Sequence, residues 1–161
     1  MDIEKLRRDF RYDMVSGDFV RIARRSGPNQ ASDRGSVNDG GYLRIRFCGR
    51  KYYVHVLAWA HHHGEFPKHS VDHADGNPMN NSIGNLRLAT HQQNCCNRGA
   101  RKDNATGIKG VCWDKRLKRY RVQVRHDGRR VYQALFSDIE AAAAAYETQA
   151  KLHHGVFART T

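Results

Sequence analysis

The stretch from Val71 to Asn94, VDHADGNPMNNSIGNLRLATHQQN, constrains the fold more than any other part of the chain. It places an adjacent Asp72-His73 pair, then Asn85 twelve residues after the histidine, then Asn94 nine residues further on. Val71-Asp72-His73 is a short extended run that ends in turn chemistry, Asp75-Gly76 followed by Asn77-Pro78. Asn85-Leu86-Arg87-Leu88 reads as a second strand, and Thr90 is placed to cap a helix through Gln92, Gln93, Asn94 and Asn97. Two strands and a helix, with the loop closed by Asn85, are expected to bring Asp72, His73 and Asn94 together.

Those residue types suit metal-assisted cleavage of a phosphodiester. The Asp72 carboxylate and Asn94 carbonyl are hard oxygen ligands of the kind magnesium or manganese takes. A neutral imidazole at His73 takes a proton from water near neutral pH. Asp75, which precedes Gly76, competes for the ligand role but is expected to hold the turn. Arg87 and His91 are candidates for contact with the scissile phosphate.

The segment resembles the HNH nuclease motif, the ββα-metal fold, through its DH pair, its asparagine-rich DGNPMNN loop, the Asn85-Leu86 dipeptide and the final Gln93-Asn94. It is most similar to HNH endonucleases of phages and mobile introns, where a His-x-Leu-Ala-Trp segment commonly precedes the motif. Here that segment is His55-Val56-Leu57-Ala58-Trp59, followed by Gly64 and Pro67. Such sequences often carry Arg where Val56 stands, which removes one backbone-phosphate contact. The resemblance implies hydrolysis to 5′-phosphate and 3′-hydroxyl ends, with His73 as general base and one divalent metal on Asp72 and Asn94. It also implies an indirect role for Asn85, holding the strands around the catalytic histidine.

Charge agrees with a polyanionic partner. Lys and Arg number 28 against 16 Asp and Glu, a net charge of +12, and double-stranded DNA is the expected partner. No apolar run approaches the ~20 residues that span a bilayer, and no signal segment opens the chain. The expected compartment is therefore the cytoplasm of a bacterial or phage-infected cell. None of the four cysteines, Cys48, Cys95, Cys96 and Cys112, forms a C-x-x-C knuckle, so free thiols are expected and no structural zinc. The run His61-His62-His63 does not suggest a shared metal, because consecutive helical side chains point about 100° apart; a solvated helix end is expected.

The expected fold class is α+β, in four segments. Residues 1–54 read as a β-rich scaffold, with strands at Phe19–Ile22, Tyr42–Phe47 and Tyr52–Val54, and a soft stretch Ser26-Gly27-Pro28-Asn29-Gln30. Residues 55–98 form the nuclease core, entered by a helix from His55 to His63. Residues 99–107 are a polar linker. In 108–161, strands at Ile108–Trp113, Arg119–His126 and Arg130–Phe136 precede a helix capped by Ser137 or Asp138, which runs to about His153 and stops at Gly155.

That last segment resembles the DNA-binding module of plant ethylene-response factors, the apetala-two type, through Gly110-Val111, Trp113, Tyr120 to Arg125, Gly128, Tyr132, Phe136, Ala142-Ala143 and Ala145-Tyr146. It departs from that family at Gln133-Ala134, where Leu-Gly usually stands. In the family a three-stranded antiparallel sheet lies in the major groove and the helix packs on its back. Alternation along the middle strand puts Arg119, Arg121, Gln123 and Arg125 on one face and Tyr120, Val122 and Val124 on the other. Lys109, Arg121, Gln123, Arg125, Arg130 and Tyr132 are the expected DNA contacts, with Tyr132 sharing the parity of Arg130. On this division a chain ending near Lys102 would still cut, but with poor affinity and little site preference. The competing reading is a non-cleaving DNA-binding regulator that uses this sheet alone; the sequence leaves the oligomeric state open.

Overall fold

Asp2 accepts a hydrogen bond from the Lys5 amide at 2.9 Å, and so caps a helix the sequence reading did not anticipate, α1 (Ile3–Asp9). The computed structural model describes residues 2–23 and 34–159; the soft stretch Ser26 to Gln30 lies outside them. Two units divide the chain, Met1–Thr90 and His91–Thr161.

In the first unit, β1 (Phe10–Tyr12) pairs antiparallel with β2 (Phe19–Arg21). A second sheet orders β3 (Ser36–Val37), β4 (Leu43–Phe47) and β5 (Arg50–Tyr53). The turn between β4 and β5 uses Cys48 and Gly49, both at positive φ. Val54, expected to end a strand, instead opens α2 (Val54–His63). Gly64 at φ 77° stops that helix, and Arg7 donates to the carbonyls of His61 and His62 at 2.9 and 3.3 Å, satisfying acceptors that a helix end leaves open. His61 is not simply solvated: it is half-buried, its ring 5.8 Å from Tyr12 and its Nε2 3.3 Å from the Phe10 carbonyl. His62 and His63 are exposed.

The hairpin β6 (Ser70–His73) and β7 (Leu86–Ala89) follows, antiparallel, with Asp72 opposite Arg87 and His73 opposite Leu86. One apolar cluster joins Leu6, Phe10, Phe19, Ile45, Phe47, Val54 and Leu57 to Val71 and Leu86. The N-terminal strands and the β6–β7 hairpin thus share a core.

The second unit starts with α3 (His91–Cys96), one residue shorter than expected. A sheet of order β10-β9-β8 comprises β8 (Val111–Asp114), β9 (Arg119–His126) and β10 (Arg129–Phe136). Its back carries α4 (Ile139–His154), capped by the Asp138 carboxylate, which accepts from the Ala141 amide at 2.7 Å. Val111, Val122, Val124, Ala142, Tyr146 and Ala150 form the core between sheet and helix. Gly110 is required there: at φ 71° its Cβ position lies 2.1 Å from the Tyr146 ring. The whole is a mixed helix-and-sheet protein with a β-rich N-terminus, a β-β-α succession, and a three-stranded sheet on one helix.

Candidate active site

The loop between β6 and β7 is built by asparagines. Asp75 accepts from the Asn77 amide at 2.8 Å, from Asn80 Nδ2 at 2.8 Å and from Asn85 Nδ2 at 2.9 Å. Burial alone would raise its pKa, but these donors, with His73, outweigh it and hold the carboxyl below its ordinary range. Asn85 also donates to the Asn80 carbonyl at 2.8 Å and accepts from the Asp75 amide at 3.0 Å. Asn85 and Asp75 therefore close the loop on itself.

At the end of β6 the side chains turn inward. Asp72 is buried, and Arg87, across the ladder, donates Nε to its Oδ2 at 3.0 Å. Arg87, a candidate for phosphate contact, is thus placed first as the partner of the carboxylate. His73 is 4% exposed. Burial pushes its pKa below the imidazole range, against the opposing pull of an Asn81 hydrogen bond and of Asp75 and Asp72, so the ring is neutral at pH 7. Its Nε2 lies 3.2 Å from Asn81 Oδ1.

Aromatic rings surround it. His55 meets His73 edge to face at 4.9 Å and stacks on Tyr53 at 5.3 Å, while Tyr42 lies 5.9 Å from His73. Burial, and then the neighbouring His73, pull the His55 pKa down to about 4. Asn81 and His55 had no assigned role from sequence. The signals were present, in the doubled asparagine Asn80-Asn81 and the histidine four residues before Trp59, but neither type declares a tertiary partner.

Asn94 lies on α3, which belongs to the second unit, half-buried. In the same unit Lys109, an expected DNA contact, is half-buried and donates to the Cys96 carbonyl at the end of α3. Burial lowers its pKa.

On the outer face of the C-terminal sheet, Arg130 pairs with Arg125 across the ladder and Gln133 with Gln123. Between Arg130 and Tyr132 the register shifts by a bulge, which puts Tyr132 opposite Val124 and against the core. The expected DNA contact of Tyr132 is corrected on that ground: an extra residue in a strand reverses the parity beyond it. Gln133 takes the vacated place. It accepts from Gln123 Nε2 at 3.0 Å and from Arg130. Arg121 shares this face and lies 3.4 Å from Asp114.

The β-β-α succession, the DH pair and the asparagine-closed loop are the features of an HNH endonuclease domain. The HNH endonuclease family matches residues 52–95, and the chain belongs to that family. Among its relatives is Protein 3.8 of Escherichia phage T7, 37% identical over 106 residues, which span 65% of this chain and 87% of that protein. No solved structure matches the chain. Membership makes it a nuclease of the class that generally uses a divalent metal on DNA. No helix among the described residues is long and apolar enough to cross a membrane.

Proposed function

We propose that the protein is a metal-dependent, site-preferring DNA endonuclease of the phage homing type that cuts double-stranded DNA to 5′-phosphate and 3′-hydroxyl ends. The observation that carries this reading is the neutral, buried His73 next to Asp72 at the end of β6, inside an HNH domain. Among the described residues no three of His, Cys, Asp and Glu gather as a metal cage. The proposed donors are one carboxylate and one amide oxygen, Asp72 and Asn94, hard oxygen ligands of the kind that magnesium or manganese takes. When bound, such a cation offsets the negative charge that grows as the phosphodiester breaks.

His73 takes the proton from a water molecule whose oxygen attacks phosphorus. The bond to the 3′ oxygen breaks, and that oxygen leaves with the bonding pair and takes a proton from solvent water to become the 3′-hydroxyl. Arg87 holds the Asp72 carboxylate in place, and Asn85 keeps the loop closed around the imidazole. Site preference is assigned to the outer face of the C-terminal sheet, in the manner of the apetala-two module. Arg125 and Arg130 suit guanine edges, Gln123 and Gln133 suit adenine, and the surplus of cations supplies phosphate contacts.

Incubating supercoiled plasmid with and without magnesium, followed by end mapping, tests the reading. His73→Ala should bind DNA nearly as the parent does and cut at least ~100-fold more slowly, the size expected for a lost general base. Asp72→Ala and Asn94→Ala should lose cleavage, with Asn94→Ala partly restored at high magnesium. Full cleavage in a chelator, or by His73→Ala, would overturn the assignment.

A further inference from the structure

We propose that Asn81 is a positioning residue that fixes which nitrogen of His73 carries the proton, and that the β1–β2 hairpin holds Asn81 in place for that task. The inference rests on the reading of His73 as the general base. Asn81 is 2% exposed, and an amide so buried has its polar atoms hydrogen-bonded. Its Nδ2 donates to the Met79 carbonyl at 3.2 Å. That bond settles the amide orientation, since the flipped amide would set two carbonyl oxygens against each other. Oδ1 therefore faces His73 Nε2 at 3.2 Å, and a carbonyl oxygen only accepts. Nε2 must be the donor. In the neutral ring the lone pair then sits on Nδ1, the nitrogen from which His73 acts as a base.

The rest of the loop has its own supports in Asp75, Asn80 and Asn85, so the inward amide of Asn81 is not needed to close it. Its main chain is clamped instead by the N-terminal hairpin. Tyr12 Oη donates to the Asn81 carbonyl at 2.7 Å, and the Ile83 amide donates to the Met14 carbonyl at 2.9 Å. Gly17, at φ 78°, lies so close that a Cβ would sit 2.4 Å from the Ser82 nitrogen and 2.6 Å from the Asn81 carbonyl carbon. Burial, and then Asp13, push the Tyr12 phenol up to about 12, so it remains a donor. A scaffold strand, a loop amide and the imidazole thus form one chain of contacts.

Long-range 1H–15N correlation of the imidazoles, on the full metal-free chain at about pH 8 where histidines are neutral, reads the tautomer directly. The parent should show His73 protonated at Nε2; protonation at Nδ1 would overturn the proposal whatever the variants do. Asn81→Leu should populate the other tautomer and lower the turnover of plasmid cleavage by about 10-fold or more, the usual effect of losing a partner that orients a ligand or base, with KM within about twofold. Asn81→Asp keeps an oxygen acceptor and should keep the parent tautomer. A folded Asn81→Leu with the parent tautomer and turnover sinks the idea. Where that variant does not fold, Tyr12→Phe decides, because it leaves Asn81 present and loosens its anchor: a mixed tautomer is expected, and an unchanged tautomer and turnover would remove the hairpin from the scheme. Should His73→Ala cut like the parent, the general-base reading fails while the tautomer measurement still stands on its own.

Discussion

His55 and His73 meet edge to face at 4.9 Å beside Tyr42 and Tyr53, and both stay uncharged there because burial disfavours the protonated form. His55 is 8% exposed and its pKa falls from 6.5 to about 4. The unfolded chain therefore binds a proton at this position below pH 6.5 while the folded chain resists it down to about 4. Stability from His55 is fully present above the unfolded value and is lost as pH drops through that window. Between about pH 7 and 5 the loss is about 2 kcal/mol from this residue alone. Urea titrations should show a decline of at least that size in the parent, and a shallower one in His55→Gln; equal declines would mean His55 is protonated in the fold. At this scale Asp72, His73 and Asn85 were legible because each is a chemical type at a fixed spacing. Asn81 and His55 were not, because what distinguishes them is depth, and depth is decided by Leu6, Phe10 and Leu57, far away in sequence.

The C-terminal sheet shows which element features sequence can and cannot carry. The middle strand, Arg119–His126, follows its alternation, and the helix Ile139–His154 starts at its cap and ends at Gly155. The bulge after Arg130 has no such signature: Val131 could equally sit in register, and one slipped residue reverses every side chain beyond it. The helix Ile3–Asp9 escaped for a related reason, since seven residues hold too little periodicity to stand out, and its stability comes from the Asp2 cap and from Leu6 in the core. The bulge separates two neighbouring substitutions. Tyr132→Ala should cost about 2–4 kcal/mol as a cavity against the sheet-helix core, while leaving the order of preferred sites unchanged. Gln133→Ala, on the outer face, should leave the melting temperature nearly untouched and relax preference at one position by about 1–3 kcal/mol. Thermal melts and cleavage maps of the pair check this; a preference altered by Tyr132→Ala with stability intact would restore that residue to the DNA face.

The chain divides between Thr90 and His91, ahead of the polar stretch 99–107 that composition singles out as a linker. The reason lies in α3. Its six residues are too few to form a stable helix alone, and the support visible within its unit comes from later in the chain, where Lys109 bonds the Cys96 carbonyl and α3 packs on the 3₁₀ turn Gly155–Phe157. The helix that completes the β-β-α succession is therefore buttressed within its unit by the segment proposed for DNA recognition. A chain cut near Lys102 keeps the β6–β7 hairpin and its core, with Asp72, His73 and Asn81 in place, but strips α3, which carries Asn94, of these two supports. Such a fragment should melt cooperatively through the shared core of Leu6, Phe47, Leu57 and Leu86 and yet fail to nick plasmid at magnesium concentrations that saturate the full chain. Separability of the two functions, the expectation from sequence, would instead give a fragment that still cuts, with poor affinity and little site preference. Comparing cleavage by the fragment and the full chain at matched salt, across a magnesium series, decides between them: parent-like nicking by the fragment would show that Asn94 needs nothing beyond residue 102.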